Sequence, residues 1–263
     1  MCETRTVENA GDGEREKVEE YLYYAMEIGE KMLISGAEAG RVEDTVRRIC
    51  EAYGARRADV LSISASIVTT VYWGEFYSCT QSRRIPGLKN NLHMLDELNQ
   101  LSRKICEQKP ESSEIRRELD RIAGEPLYSY GVQLLTYALI SGSFCVFFGG
   151  TLKDMIVSAL IGVVLKLADS CFARGSSNPM ITSLLCAVVG GLLSNLAVLA
   201  GAGDNADLIS ICNVMLLIPG MAFTNAIRDI FSRDMITGGV RFLESVVLAI
   251  AIAVGFTFTN FLF

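Results

Sequence analysis

The chain has 263 residues, half of them hydrophobic, with a mean hydropathy of +0.32, a formal net charge of −6 and a pI near 5.0. This acidic balance argues against nucleic acid as a partner, and the apolar content excludes a disordered chain. Apolar residues fill about 60% of positions from Leu127 onward and about 39% before it, while 18 of the 24 Lys and Arg and 23 of the 30 Asp and Glu precede residue 127, so a single uniform globule is excluded too.

Met1–Arg15 is polar and acidic; it is expected to be disordered and to hold no cleavable signal peptide. From Val18 to Ile34, Tyr21, Leu22, Ala25, Ile28, Met32 and Leu33 keep a helical spacing that Ser35-Gly36 interrupts. A second helix is predicted from Glu38 to Tyr53, with Val42, Val46 and Ile49 inward and Gly54 ending it. Asp59–Ile85 is rich in Val, Ile, Thr, Tyr and Phe and reads as strand. There Val60, Ser62, Ser64 and Ser66 would share one face and Leu61, Ile63, Ala65 and Ile67 the other, with a hairpin turn at Trp73-Gly74-Glu75. Helices over Asn91–Glu107 and Ser112–Ala123 follow, the latter with Ser112 or Ser113 as N-cap.

After Gly124-Glu125-Pro126 five stretches approach the length a bilayer core of roughly 30 Å requires: Tyr128–Phe148, Met155–Phe172, Met180–Ala200, Asp207–Phe223 and Phe242–Phe263. The reading is an α+β cytoplasmic head over residues 16–126, followed by an all-α polytopic membrane domain of about five transmembrane helices over 127–263. Orientation follows from positive charge. With the head inside, inner loops carry Lys166, Arg174, Arg228, Arg233 and Arg241, and outer loops only Lys153. The C-terminus then faces outward, and an odd number of spans suits pairing with an inverted unit, so a partner or oligomer is expected.

Ionisable groups near membrane depth are costly and ask for a reason. Asn225, Arg228 and Asp229 stand at i, i+3 and i+4, one helix face that offers a fork for a carboxylate, a neutral donor and acceptor, and an ammonium or proton acceptor. They are the substrate-binding candidates; the plainer alternative is an ordinary charged cytoplasmic loop. Pro219 and Gly220 just before them mark a helix break, and Gly238 and Gly239 a candidate hinge. Asp154, Asp169, Asp234 and Glu244 are candidates for proton coupling, although Lys166 snorkelling with Asp169 as its counter-ion is the plainer account of that pair. Asn195 and Asn213 can bind substrate or tie helices together, the commoner role. His93 is the only histidine, and the eight cysteines form no CxxC pair, so no metal and no cofactor are expected. The absence of Walker A or GxGxxG argues against ATP drive. A membrane-anchored hydrolase using Ser62, Ser64 or Ser66, and a ligand-sensing scaffold, are the alternatives from other classes.

Several runs taken together resemble the threonine/serine exporter family, in its N-terminal-half subunit: Ser35-Gly36-Ala37-Glu38-Ala39-Gly40-Arg41-Val42-Glu43-Asp44-Thr45, Ser62–Thr70, Phe148-Gly149-Gly150 with Asp154, Ile218-Pro219-Gly220, and Asn225-Ala226-Ile227-Arg228-Asp229 with Asp234, Gly239, Arg241 and Glu244. The likeness covers about Tyr21 to Gly255. It implies a multi-pass inner-membrane secondary exporter of threonine and serine, or of succinate as in a related two-subunit system. A split form of this kind implies a second small membrane subunit as partner, with a small molecule as substrate.

Overall fold

In the computed structural model, which describes residues 12–74, 77–87, 90–125, 128–175, 178–232 and 234–263, the first apolar periodicity becomes α1 (Asp12–Ile34). It starts earlier than the sequence suggests; residues 1–11, for which disorder is expected, lie outside the described residues. Gly36, at φ +95°, lets α1 end in a Schellman motif, with Ala37 N–H donating to Met32 O and Gly36 N–H to Leu33 O. The chain then enters α2 (Ala39–Ala52).

The strand region holds one hairpin more than the sequence predicts. β1 (Arg57–Ile63), β2 (Ser66–Trp73) and β3 (Tyr77–Arg84) form an antiparallel sheet in chain order. Ile63 pairs with Ser66 across a two-residue turn at Ser64-Ala65, so the alternation restarts there. Ser62 and Ile67, expected on opposite faces, sit opposite each other and are both buried, whereas Leu61 is exposed. Neither turn residue is a Gly, Asn or Asp, which is why the turn escapes a composition-based reading. The second turn follows Trp73 as expected, although Glu75 and Phe76 lie outside the described residues.

Two helices complete this part: α3 (Leu92–Gln108), capped by Asn91 through a bond from Met94 N–H, and α4 (Ser112–Gly124). The N-cap of α4 is Glu111 rather than either serine, so Ser112 is already inside the first turn. Leu22, Met26 and Met32 of α1 meet Val46 and Ile49 of α2, Ile67 and Val71 of β2, and the inner stripes of α3 and α4 in one core.

The remaining helices are α5 (Tyr130–Phe147), α6 (Leu152–Gly175), α7 (Pro179–Leu199), α8 (Ala206–Leu217), α9 (Gly220–Phe231) and α10 (Met235–Asn260). Among the described residues α5, α6, α7 and α10 are each long and apolar enough to cross a membrane. α8 with α9 makes a fifth candidate if counted as one span bent by 55°. The fourth predicted span is therefore not one continuous helix to Phe223: Pro219 cannot donate its backbone nitrogen, and α8 stops at Leu217.

The chain divides into two compact units. The first takes the chain up to Glu125 together with Thr224–Phe242, and the second takes the rest. The second unit packs through small and polar residues, as helices in lipid do. Gly162 of α6 lies so close to α5 that an added Cβ would stand 2.8 Å from Tyr137 O. Ser141, Ser158 and Asn213 are fully buried and tie α5, α6 and α8 together, Ser141 Oγ lying 2.7 Å from Ser158 Oγ and donating to Asn213 Oδ1 at 2.9 Å. Large apolar side chains such as Leu135, Phe147, Leu160 and Leu199 are exposed, the pattern of surfaces that face lipid.

Candidate functional site

The first unit brings two distant stretches into contact, the Ser35–Thr45 run and the segment from Asn225 to Arg241. Asn225 Nδ2 donates to Gly36 O at 3.1 Å, and Arg241 Nη1 donates to Ala37 O at 3.3 Å. Arg228 pairs with Glu38, and Arg241 with Asp229 at 2.9 Å. The Asp229 carboxylate also accepts the backbone N–H of Ala39, one of the four open donors at the start of α2. Glu38 itself, at the N-cap of that helix, makes no capping bond with its side chain. Asp229 therefore does from outside what an N-cap residue does from within.

The two ion pairs differ in burial. Arg241 and Asp229 are 4% and 2% exposed, whereas Arg228 and Glu38 are 57% and 27% exposed. A buried pair fixes geometry and is strongly destabilised when one partner is lost; an exposed pair exchanges readily with water or another ion.

Beside these pairs lies a cleft of about 420 Å³, lined by Glu38, Gly40, Arg41, Glu43, Asp229, Ser232 and Asp234. Among the described residues lining it, four are carboxylates and one is a cation, an excess of negative charge that favours positively charged groups. Glu43 Oε1 accepts the Ser62 backbone N–H at 2.8 Å. Burial pushes the Glu43 carboxyl above its ordinary range and neighbouring Asp234 adds to that, against the Ser62 bond and Arg47. Asp234 caps α10, accepting from Thr237 N–H at 3.4 Å and Gly238 N–H at its carbonyl. Among the described residues no group of three or more His, Cys, Asp or Glu is placed to hold a metal ion.

The predicted site residues thus fall into several places. Asn225, Arg228, Asp229 and Asp234 come together, in a helix and its neighbouring cap rather than a loose charged loop; Arg233 lies outside the described residues. Asp154 is 1% exposed and staples its own loop: it accepts from Thr151 Oγ1 at 2.9 Å and from the backbone N–H groups of Asp204 at 2.7 Å and Asn205 at 3.2 Å. Asp169 pairs with Lys166 at 3.4 Å, the counter-ion arrangement, and Glu244 is exposed on α10. Pro219 and Gly220 occupy the break between α8 and α9. Gly238 and Gly239, expected as a hinge between loop and helix, lie inside the continuous α10 instead. Gly238 is there for closeness: a Cβ would stand 2.8 Å from Ala226 O. Asn213 joins helices, as does Asn195, which donates to Asn260 Oδ1 at 3.2 Å. The Ser62 hydroxyl is buried without a partner, and His93 is engaged with Glu125 at 2.7 Å, so no serine–histidine pair forms among the described residues.

Glu38, Arg41, Glu43, Ser232 and Arg241 join the site without having been picked out by helical spacing. All but Ser232 belong to runs on which the family resemblance rests; Ser232 carries no signal in the sequence alone.

Comparison with known proteins adds an independent line. The profile of a family described as "Putative threonine/serine exporter" matches residues 23–262. A protein of Klebsiella aerogenes named "Probable succinate transporter subunit YjjP" is 24% identical over 227 residues, covering 85% of this chain and 86% of that protein. Its namesake in Escherichia coli strain K12 is 23% identical over 233 residues, covering 88% and 90%. No solved structure matches.

Proposed function

The chain belongs to the threonine/serine exporter family, a family of transporters, and from that premise we propose that it is one subunit of a secondary exporter for small zwitterionic amino acids, threonine and serine. It is a multi-pass membrane protein by family and by its apolar helices. The excess of Lys and Arg at one set of ends of the predicted spans supports a position in the cytoplasmic membrane, with residues 16–126 on the cytoplasmic side, the spans within 127–263 and the C-terminus outward. The two relatives are named as subunits, which supports a second small membrane subunit as the partner.

The charge of the cleft carries the choice of substrate. An ammonium group suits Glu38, Glu43 and Asp234, and the exposed Arg228–Glu38 pair is the one a zwitterion can enter, its carboxylate replacing Glu38 at Arg228 and its ammonium replacing Arg228 at Glu38. Asn225 and Asp229 hold the Gly36–Ala39 turn in register for that exchange. Asp234, with Glu43 beside it, is the best placed of the proton-coupling candidates, because Asp154 and Asp169 are committed to a loop and to Lys166.

Succinate is the second reading, favoured by the relatives' names. A dicarboxylate can satisfy Arg228, but its other end meets Glu43 and Asp234 and requires them protonated. Efflux from loaded cells that express the chain with its partner distinguishes the two. Threonine and serine are expected to leave and succinate to stay, with Arg228→Ala and Glu38→Gln each slowing efflux about tenfold, as befits loss of a hydrogen bond to a charged group. Unchanged efflux with Arg228→Ala removes that arginine from the substrate path.

A further inference from the structure

A second groove, of about 280 Å³, runs along α2 and α3 within the first unit. Arg41, Asp44, Thr45 and Arg48 form one wall, and Arg103 and Glu107 stand on the other. Positions 41, 45 and 48 recur at i, i+4 and i+7, so they share a face of α2. Asp44 is occupied by Arg48 at 3.0 Å and Arg47 at 3.9 Å. Arg41 and Arg103 have no carboxylate within ion-pair distance among the described residues, and they face the groove from opposite sides. The other donors along it are taken: Thr45 Oγ1 by Arg41 O, Ser102 Oγ by Asn99 O, and Asn99 Nδ2 by Leu95 O.

We infer that this groove binds a small dianion, of phosphate to dicarboxylate size, held between the guanidinium groups of Arg41 and Arg103 with Arg48 in support. The site and its ligand class are independent of the substrate reading above. Two planar forks on facing walls suit a ligand with anionic oxygens at both ends, and the volume has room for one of phosphate to dicarboxylate size. A halide leaves one fork unmatched. Arg41 also lines the acidic cleft, so an anion that draws its guanidinium toward α3 takes the one cation among the described lining residues away from the cleft. The groove thereby regulates the cleft: its dianion strengthens cation binding there, and by linkage a cation in the cleft strengthens the dianion.

The test is calorimetric titration of the full chain in a nonionic detergent with inorganic phosphate and with succinate, sodium chloride serving as the control. Binding of either dianion, or of both, that Arg103→Ala weakens supports the site and identifies its ligand, whereas succinate heat that this substitution leaves unchanged belongs to the cleft and counts against the groove. Arg103→Ala, which does not touch the cleft, is expected to weaken binding about tenfold, and Arg103→Lys less. Cys106 also lines the groove, so saturating ligand is expected to slow its alkylation by maleimide while leaving exposed Cys171 unaffected. Absence of heat with both dianions, binding unchanged by Arg103→Ala, or an unaltered rate at Cys106 overturns the proposal. Because phosphate is not an amino acid, a failed efflux assay leaves this outcome standing, and the reverse also holds.

Discussion

Arg228 and Arg241 stand thirteen positions apart, and each meets one carboxylate, yet burial gives them different work. Removing Arg241 strands Asp229 in the interior, so Arg241→Ala is expected to destabilise the chain by about 3–5 kcal/mol. Arg228→Ala should cost about 0–1 kcal/mol, because its pair is exposed. Denaturation in detergent checks this; equal losses would contradict the division into structural and exchangeable pairs. Glu43 supplies a pH signature. Its carboxyl is raised by burial, so the folded state holds the proton more tightly than the unfolded chain does. Stability from this group is present below the ordinary carboxyl range and is lost as pH rises through the raised value. Glu43→Gln should therefore gain in melting temperature on the unaltered chain between about pH 4 and about pH 7, and parallel curves would refute the shift. That Asn225, Arg228 and Asp229 share one helix face was legible from spacing. Their partners were not, because Gly36 and Glu38 lie 189 and 190 positions away and no periodicity links them.

At the level of elements the two adjacent glycines of α10 separate packing from hinging. A Cβ on Gly238 meets Ala226 O and Ile230 N, whereas on Gly239 it meets nothing within 4 Å. Gly238→Ala is expected to cost about 1–3 kcal/mol, and Gly239→Ala to be neutral or to stabilise by up to about 1 kcal/mol through helix propensity. Thermal unfolding of the two variants decides it, and a hinge would make them equally harmful to transport without that difference in stability. Helix ends carry clear chemical signals, which is why Ser35-Gly36, Asn91 and Pro219 marked real boundaries. The turn at Ser64-Ala65 has no such residue, and pairing between β1 and β2 decides it. Asp154 illustrates another limit: no spacing in the sequence reveals that its carboxylate accepts from the backbone N–H groups of Asp204 and Asn205, 50 and 51 positions on.

For the molecule as a whole, the shift in composition at residue 127 separates a charged stretch from an apolar one, and among the described residues the membrane-capable helices follow it. The membership of Thr224–Phe242 in the first compact unit was not legible: Arg228, Asp229, Arg233, Asp234 and Arg241 set its composition apart from the spans on either side, but charge alone does not say which stretch it packs against. The measurement that bears most directly on the central claim is exchange in proteoliposomes holding this chain and its partner subunit, preloaded with unlabelled threonine and supplied with labelled threonine outside. Accumulation of label that external serine suppresses and external succinate leaves untouched is the predicted result. Accumulation of labelled succinate in succinate-loaded vesicles, with threonine inert on both sides, would contradict it.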